Sequence, residues 1–379
     1  MTDSVEQAIH NAIGEQIVKE GGAVDFERFM SLALYAPGLG YYVNGAQKFG
    51  VGGDFITAPE LSPLFGQSLA NQIAEVFQSL PQPFLLEFGA GSGALAVSVL
   101  ERLEQLDCLP VRYQILELSA ELQQRQRETI SEALPHLLER VEWLSHIPSS
   151  PWCGVVIANE VLDAMPVQRV KKSDDSWQLQ QVTYSDSSYQ SKWVPLTDQR
   201  LLDHMSGLER RLGQFEVGYE SEVNLHVDGW ISALSQMINQ GAVILVDYGY
   251  PESAFYHPER SAGTLMCHYQ HKAYDNPLER VGSQDITANV DFSAVAEAGV
   301  NHGFDLAGFT TQAFFLMNNG IGDLLGDDPM SDSYIQKAQA MKQLTLPTEM
   351  GERFKVIALS KGLEESMRGF AVGDQRAYL

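Results

Sequence analysis

Cysteine is scarce in this sequence, and its scarcity excludes several classes of protein. The 379 residues include three cysteines, Cys108, Cys153 and Cys267, which lie far apart in the chain. Such spacing provides neither a disulfide framework nor a CxxC redox or zinc pair. A reducing compartment is therefore the simplest interpretation.

Long apolar runs are also absent. No uninterrupted run approaches the roughly 20 residues that a membrane span requires. Residues 1–19 mix Asp3, Glu6 and Glu15 into an amphipathic pattern, which lacks both the apolar core of a signal peptide and the Arg-rich, acid-poor composition of a transit peptide. We expect a soluble, cytoplasmic protein without a membrane span.

Basic residues are few, with 25 Lys and Arg against 49 Asp and Glu and a formal net charge of −24. Affinity for nucleic acid comes largely from Lys and Arg that displace counterions from phosphates, so this balance argues against a nucleic-acid partner. A basic protein partner fits better, although acidity that serves only solubility is an open alternative. The composition, 44% hydrophobic and 20% charged, is that of a globular protein of one elaborated domain or two.

Several catalytic motifs are missing as well. No Gly-x-Ser-x-Gly elbow and no Walker-type Gly-Lys-Ser/Thr is present, so hydrolase and NTPase functions lose support. His268 and His271 have the spacing of metal ligands, but no further ligands stand nearby at zinc-site spacing. We predict no metal site and interpret these histidines as surface or pocket residues.

What is present is an alternation of apolar strand patterns and helical patterns at βαβ spacing. It predicts an α/β fold: a doubly wound sheet with a helical N-terminal cap and two insertions. Predicted strands cover residues 84–88, 113–118, 141–144, 154–158, 242–247, 304–315 and 354–359. Predicted helices cover residues 4–35 as a pair, 62–80, 119–134 and 223–238. The predicted units are a cap with a Gly-rich loop (1–80), a first half of the core (81–167), a β-rich insertion (168–222) and a second half (223–379) with an insertion at 250–300.

The segment from Glu87 to Gly93, Glu-Phe-Gly-Ala-Gly-Ser-Gly, lies between a predicted strand and a predicted helix. Glycines there let a ligand approach the backbone, and the helix N-terminus offers free N–H groups. The segment also satisfies the dinucleotide pattern GxGxx(G/A). The turn alone therefore indicates a nucleotide-like cofactor, either S-adenosylmethionine or NAD.

Two carboxylates accompany this turn. Glu87, two residues before the first glycine, is expected to place a negative charge at the mouth of the turn, which suits a cationic sulfonium and repels a pyrophosphate. Glu117 ends the next predicted strand, where it can accept hydrogen bonds from ribose hydroxyls. Because NAD enzymes share that second feature, only Glu87 favours S-adenosylmethionine.

The fourth predicted strand ends in Asn159-Glu160-Val161-Leu162-Asp163. Ligands of open α/β sheets bind beyond the carboxyl ends of strands near the switch in strand order. Glu160 and Asp163, three residues apart, can share one face of a turn at that edge. The alternative is that one of them caps a helix and the other faces water.

The chain also resembles a known family, the MidA-type S-adenosylmethionine-dependent methyltransferases, between about Phe29 and Leu359. The resemblance rests on ordered motifs: residues 53–62 (GDFITAPELS), 87–93 (EFGAGSG), 159–167 (NEVLDAMPV), 247–249 (DYG), 263–265 (GTL), 285–292 (DITANVDF) and 350–354 (MGERF). Mitochondrial members of that family are protein arginine methyltransferases that assist assembly of respiratory complex I.

The resemblance implies a class I methyltransferase (Rossmann-like) sheet, S-adenosyl-L-methionine as cofactor and an arginine side chain of a protein as acceptor. The resemblance suggests a subunit of a respiratory complex as the protein substrate. Whether the chain forms a homodimer is open. The predicted cofactor-binding residues are Gly53, Thr57, Pro59, Glu87, Gly89, Gly91, Gly93, Glu117, Leu118, Asn159 and Glu160.

For the acceptor, we predict Glu160 as the principal anchor, with Asp163 or Asp54 as the second carboxylate. A carboxylate can hold a guanidinium bidentately and localise its charge away from the attacking nitrogen. The glycine-rich loop at 52–57 is expected to close over the cofactor. Asp247 and Tyr248 either line the acceptor pocket or are turn residues.

Two other functions remain open at this point. One is an NAD-linked oxidoreductase that uses the same glycine turn; Glu87 and the run from Asn159 to Val167 count against it. The other is a non-catalytic assembly factor that binds S-adenosylmethionine and holds a partner, for which the two insertions supply surface.

Overall fold

A computed structural model describes residues 3–44, 57–148 and 151–379. Its α-helices are α1 (Asp3–Lys19), α2 (Phe26–Tyr35), α3 (Ala58–Leu61), α4 (Pro63–Phe77), α5 (Ala94–Gln105), α6 (Ala120–Ala133), α7 (Gln199–Leu212), α8 (His226–Met237), α9 (Glu252–Phe255), α10 (Phe292–Asn301), α11 (Gln312–Asn318) and α12 (Asp332–Thr345). Its strands are β1 (Val24–Asp25), β2 (Phe84–Phe88), β3 (Tyr113–Leu116), β4 (Val141–Leu144), β5 (Trp152–Asn159), β6 (Gln168–Lys172), β7 (Trp177–Ser185), β8 (Ser188–Pro195), β9 (Glu220–Val223), β10 (Ile238–Tyr250), β11 (Met266–Tyr269), β12 (Lys272–Tyr274), β13 (Asp285–Thr287), β14 (Val290–Asp291), β15 (Asp305–Thr311) and β16 (Phe354–Lys361).

The central sheet has the order β4-β3-β2-β5-β10-β16-β15. The first five strands are parallel, whereas β16 is antiparallel to both of its neighbours. The chain builds outward from β2 through β3 to β4 and then returns to the other side of β2 with β5. The strand order therefore reverses between β2 and β5, which is where open α/β sheets bind ligands.

Helices cover both faces of this sheet. Its strands carry apolar side chains on both faces, and these must be buried. Leu85 and Val155 pack into one core, under α4 and α5, and the next residues along the strands, Leu86 and Val156, pack into the other, under α8 and α10. Parallel strands buried on both faces read as continuous apolar runs, which explains why the sequence predicts them. The doubly wound α/β fold is confirmed.

The helical cap and the two inserted segments form a separate layer. β6, β7, β8 and β9 join β1 in a five-stranded sheet, and β11, β12 and β13 form a three-stranded one. A third core lies between α1, α2 and these sheets, where Phe29, Val182 and Ile286 are fully buried. The predicted division into units at residues 80, 167 and 222 stays a prediction.

The structure corrects the expectation for residues 304–315. The strand β15 ends at Thr311, and residues 312–318 are the helix α11 rather than a continuation of the strand. The Thr311 hydroxyl accepts a hydrogen bond from the Phe314 N–H at 3.3 Å and so caps that helix. In addition, the helix expected at 223–238 begins later, at His226, because residues 220–223 pair with β6 as β9.

Within the described parts of the chain, no helix combines the length and the apolar character that crossing a membrane requires.

Candidate functional site

A cavity of about 630 Å³ opens at the carboxyl ends of β2, β3, β5 and β10. Its walls come from the sheet edge, from the cap and from the second insertion. Residues of the segment 349–354 also line it, because the antiparallel β16 begins at the edge of the sheet where the parallel strands end.

The glycine turn that follows β2 forms one wall of the cavity. Gly89 and Gly91 line it and have φ angles of +62° and +52°, a conformation that favours glycine. Gly93 does not line the cavity. It has a φ of +90°, and a Cβ there would stand 3.2 Å from the Gln126 Cα, so this glycine permits close packing of α5 against α6.

Glu87 lies within β2, not at the mouth of the turn where the sequence led us to expect it. It lines the cavity, is 2% exposed and accepts a hydrogen bond from the Tyr113 hydroxyl at 2.7 Å. Burial raises the pKa of this carboxyl to about 8, against the smaller opposing effect of the Tyr113 hydrogen bond. Without a ligand, Glu87 is therefore protonated at neutral pH. A cation in the cavity would favour its charged form.

Glu117 follows β3 directly and lines the same cavity. One carboxylate oxygen accepts the Ser119 N–H at 2.9 Å and the other accepts the Gln126 side-chain amide at 3.1 Å. These two contacts fix the orientation of the carboxylate at the edge of the sheet.

The segment after β5 makes a tight turn at Glu160, whose φ of +54° is unusual for a residue with a side chain. Its N–H donates to the Val246 carbonyl at 2.9 Å, and its carboxyl accepts from the Asn159 side chain at 3.1 Å. Burial, and then the nearby charge of Asp163, raise the pKa of Glu160 to about 8.

Asp247 holds this turn in place from the adjacent strand. It is fully buried, and one of its oxygens accepts the backbone N–H groups of Val161, Leu162 and Asp163 at 3.2, 3.0 and 3.2 Å. Burial, together with the charges of Asp163 and Glu160, raises the pKa of Asp247 well above its usual range. Neither alternative describes Asp247, which lies within β10 and supports the neighbouring turn without lining the cavity, whereas Tyr248 lines the cavity.

Asp163 lines the cavity, and its two carboxyl oxygens differ in their contacts. It is 4% exposed, and its Oδ2 accepts a short hydrogen bond from the Tyr248 hydroxyl. Its Oδ1 is buried and finds no hydrogen-bond partner among the described residues, as is also true of the Asn159 Oδ1. Burial raises the pKa of Asp163 to about 6. A buried acceptor without a donor is costly, so this wall is complementary to a ligand that donates hydrogen bonds.

Two tyrosines of the cap and one aspartate of the second insertion complete the cavity. The Tyr35 hydroxyl donates to the Ala164 carbonyl at 2.9 Å, and the Tyr42 hydroxyl donates to Asp285 Oδ1 at 2.9 Å. Asp285 is 2% exposed and also accepts the N–H of Ile286 at 2.9 Å.

The cavity brings together most of the residues that the sequence singled out. Among those predicted for the cofactor or for catalysis, it is lined by Thr57, Pro59, Glu87, Gly89, Gly91, Glu117, Leu118, Asn159, Glu160 and Asp163. Gly93 lies outside it, and Gly53 and Asp54 lie outside the described residues.

Sequence reasoning missed Tyr35, Tyr42 and Asp285 as residues of this site. Tyr42 lies in the Gly- and Tyr-rich segment after α2, and Asp285 opens one of the family-like motifs, so both had a signal in the sequence. Nothing in the local pattern indicates, however, that a tyrosine at 42 contacts an aspartate at 285.

Comparison with known proteins gives concordant results. A family profile for S-adenosyl-L-methionine-dependent methyltransferases matches residues 68–310, more than half of the chain. A crystal structure of a protein from Burkholderia thailandensis bound to S-adenosylhomocysteine is 41% identical, with a TM-score of 0.94 over 99% of this chain and 97% of that one.

Two relatives carry more specific names. The mitochondrial protein arginine methyltransferase NDUFAF7 homologue of Drosophila melanogaster is 29% identical over 93% of this chain and 86% of its own length. The mitochondrial protein arginine methyltransferase NDUFAF7 of Homo sapiens is 28% identical over 90% of this chain and 81% of its own length. Because these relatives are named as mitochondrial, the cytoplasmic location expected here stays a prediction.

Proposed function

Because the chain belongs to the family of S-adenosyl-L-methionine-dependent methyltransferases, we propose that it methylates an arginine side chain of a protein. Methyl transfer with S-adenosyl-L-methionine as cofactor is the family's property, and the NAD-linked alternative is dropped. The arginine acceptor is our inference from the cavity, in line with the names of the two mitochondrial relatives.

The residues present fit the cofactor. Gly89 and Gly91 leave room for a ligand against the backbone, and the Glu117 carboxylate, oriented by Ser119 and Gln126, can accept hydrogen bonds from ribose hydroxyls. Glu87 sits under the cavity as a carboxyl whose ionisation a cationic ligand would favour. We propose that these residues hold the cofactor, which when bound supplies a methyl group on a positively charged sulfur.

The observation that carries the arginine acceptor is the Oδ1 of Asp163, which lies beside Glu160 in the cavity wall and is a buried acceptor without a donor among the residues that the structure describes. A guanidinium carries five N–H donors in a planar fork and no acceptor, so it can satisfy both this oxygen and the Glu160 carboxyl. Its positive charge also favours the ionised form of both groups, whose pKa values burial otherwise raises.

The charge of the whole cavity supports a cationic acceptor. Among the described residues that line it, the carboxyl side chains are Glu60, Glu87, Glu117, Glu160, Asp163, Asp285 and Glu349, against a single guanidinium, that of Arg353. Burial raises the pKa of Glu87 and of Glu160 to about 8, so both carboxyls are largely protonated at neutral pH without a ligand. A bound cation favours their charged forms, and the excess of carboxyl groups over basic groups therefore suits a cationic acceptor.

In this proposal, Glu160 and Asp163 position the acceptor nitrogen and concentrate the positive charge on the far side of the guanidinium. Asp247 holds the backbone of the turn at Val161, Leu162 and Asp163, and the Val246 carbonyl holds the N–H of Glu160. Exclusion of water from the cavity strengthens these interactions. The protein therefore contributes positioning and electrostatics, which are the main requirements of an in-line methyl transfer.

The test is to incubate the chain with S-adenosyl-L-methionine carrying a labelled methyl group and a protein extract, and to map the label by peptide mass spectrometry. We expect label on arginine. Glu160→Gln should reduce the labelling at least about a hundredfold, because removing one charged hydrogen-bond partner costs about 3 kcal/mol.

The matched control is Glu365→Gln, the same change at an exposed residue outside the cavity. Label on another residue type would contradict the arginine acceptor. Tight cofactor binding without any methyl transfer would favour the non-catalytic assembly factor instead.

A further inference from the structure

Tyr35 and Tyr42 form an aromatic pair in the cavity wall. Their rings are nearly parallel, with an interplanar angle of 19° and a centroid separation of 5.6 Å. Both residues are half-buried and line the same cavity as Glu160 and Asp163. The pair comes from the cap, where Tyr35 ends α2 and Tyr42 lies seven residues further along.

The hydroxyl groups of the pair are both engaged away from any ligand. Tyr35 donates to the Ala164 carbonyl, in the segment that carries Asp163, and Tyr42 donates to Asp285. Burial, and next the charge of Asp285, raise the pKa of both phenols, so each remains a neutral donor. With the hydroxyls occupied, the rings themselves are what the pair offers to a ligand.

An aromatic ring beside carboxylates is a surface for a flat cation. The quadrupole of a tyrosine ring attracts a cation over its face, and carboxylates at its margin add to that attraction. A guanidinium is planar and weakly hydrated and stacks on such a ring, whereas an ammonium is compact and strongly hydrated. Asp285, tied to Tyr42, places one such carboxylate next to the pair.

We propose that Tyr35 and Tyr42 form the wall on which the acceptor side chain stacks, and that this wall selects arginine over lysine. The inference rests on the proposed function and deepens it, because it names the residues that distinguish the two basic side chains. The carboxylates attract any cation, and the rings supply the preference for a planar one.

The wall is rigid, which selection requires. Its two hydrogen bonds join three separate parts of the chain: the cap, the turn after β5 and the insertion strand β13. A second contact joins the cap to the insertion, because the Asn44 side chain donates to the Gly282 carbonyl at 2.8 Å. A ring held at a fixed angle discriminates by shape, since it cannot move to fit an ammonium.

The experiment measures binding rather than turnover. The full chain, with S-adenosylhomocysteine present so that no reaction occurs, is titrated with two probes of equal charge: acetyl-Gly-Gly-Arg-Gly-Gly-amide and its lysine counterpart. Ligand-observed NMR gives the dissociation constants. We expect the native chain to prefer the arginine probe, and Tyr42→Leu to reduce that preference about tenfold, the size of a desolvated cation–π contact.

Tyr42→Phe is the matched control, because it keeps the ring and removes only the hydroxyl. The hydrogen bonds of Tyr35 to Ala164 and of Asn44 to Gly282 still hold the wall in this variant, so most of the preference should remain. S-adenosylhomocysteine affinity, measured on each variant by calorimetry, checks that the protein is folded. If Tyr42→Leu does not fold, Tyr35→Leu tests the same wall and leaves the Tyr42–Asp285 hydrogen bond in place.

The outcomes separate the two proposals. A native chain that binds neither probe contradicts the arginine acceptor itself, whereas a native chain that binds both probes equally overturns the selection by the aromatic wall. A native preference for arginine that persists in folded leucine variants overturns the aromatic wall and leaves the arginine acceptor intact.

Discussion

The two sides of the cavity are built in different ways. What we call the cofactor side, Glu87, Gly89, Gly91, Glu117 and Leu118, comes from two neighbouring βα junctions that lie close together in the sequence. The acceptor side is assembled from the cap, the ends of β5 and β10 and the second insertion. A site made from consecutive segments leaves a readable motif, whereas a site made from distant segments does not.

The two sides also differ in the cores that support them, because part of the acceptor side lies on a core of its own. The cofactor side rests on the doubly wound sheet, whose two cores are covered by α4 and α5 on one face and by α8 and α10 on the other. The cap and β13 of the acceptor side share a third core with the β-rich insertion. The difference suggests a stable platform for a constant cofactor and a separate layer that adapts to the acceptor.

Among the substitutions that test this difference between the two sides, we expect the largest effect from Asp247→Ala. The change leaves the N–H groups of Val161, Leu162 and Asp163 without their buried acceptor, so the free energy of unfolding should fall by about 3 kcal/mol. Urea unfolding measures it, with exposed Asp203→Ala as a control that changes it by less than about 0.5 kcal/mol. Methyl transfer should fall further than S-adenosylhomocysteine affinity, and the reverse order would place the turn on the cofactor side.

Glu117→Ala should act on the opposite side and somewhat less strongly. Loss of an oriented carboxylate removes about 2 kcal/mol of binding, or about a thirtyfold loss of S-adenosylhomocysteine affinity in calorimetry. Glu121→Ala, at an exposed position in α6, provides the control. Affinity for the arginine peptide in the same variant should stay within about threefold of native. Equal losses for both ligands would show that the two sides are not independent.

The effect that is smallest, counted per pH unit, concerns the carboxyl of Glu87. Its pKa is about 8 in the folded chain against an ordinary value of 4.5, so the folded state binds the proton more tightly. This contribution to stability is complete below about pH 4.5 and is lost as the pH rises towards 8, by up to about 1.4 kcal/mol per pH unit.

Glu87→Gln, which keeps an acceptor for the Tyr113 hydroxyl, should therefore flatten the dependence of unfolding free energy on pH between 5 and 8. Urea unfolding of both proteins at several pH values measures the two slopes. Identical slopes would mean that Glu87 is ionised in the folded protein without a ligand. On the acceptor side, Glu160, Asp163 and Asp247 interact, so no single substitution there should give so simple a change.

The sequence predicts the cofactor side of the cavity more fully than it predicts the acceptor side. The strand, glycine turn and helix at 84–105 are local, and Glu117 follows at the usual distance, so the cofactor side is predictable. Glu160 and Asp163 are predictable as strand-end carboxylates. The role of Asp247 is not, because it depends on the pairing of Val246 with Asn159 in adjacent strands.

The contact between Tyr42 and Asp285 is harder still to predict from the sequence, because the two residues lie 243 positions apart. It depends on how the cap packs against the second insertion, and no local periodicity encodes that. The misassigned end of β15 has a different cause. Apolar and aromatic residues stand on both sides of the segment 310–312, and the helix cap at Thr311 marks the change from strand to helix.

The position of β16 in the sheet has a consequence for synthesis. Although β16 is the last strand described, it lies inside the sheet between β10 and β15, and the residues just before it, Met350 and Arg353, line the cavity. A ribosome delivers β10 and β15 before it delivers β16, so the nascent sheet has an unpaired β10 edge until residue 361 has left the exit tunnel. The wall of the cavity that residues 349–354 supply is therefore completed only after β10 and β15 have been made.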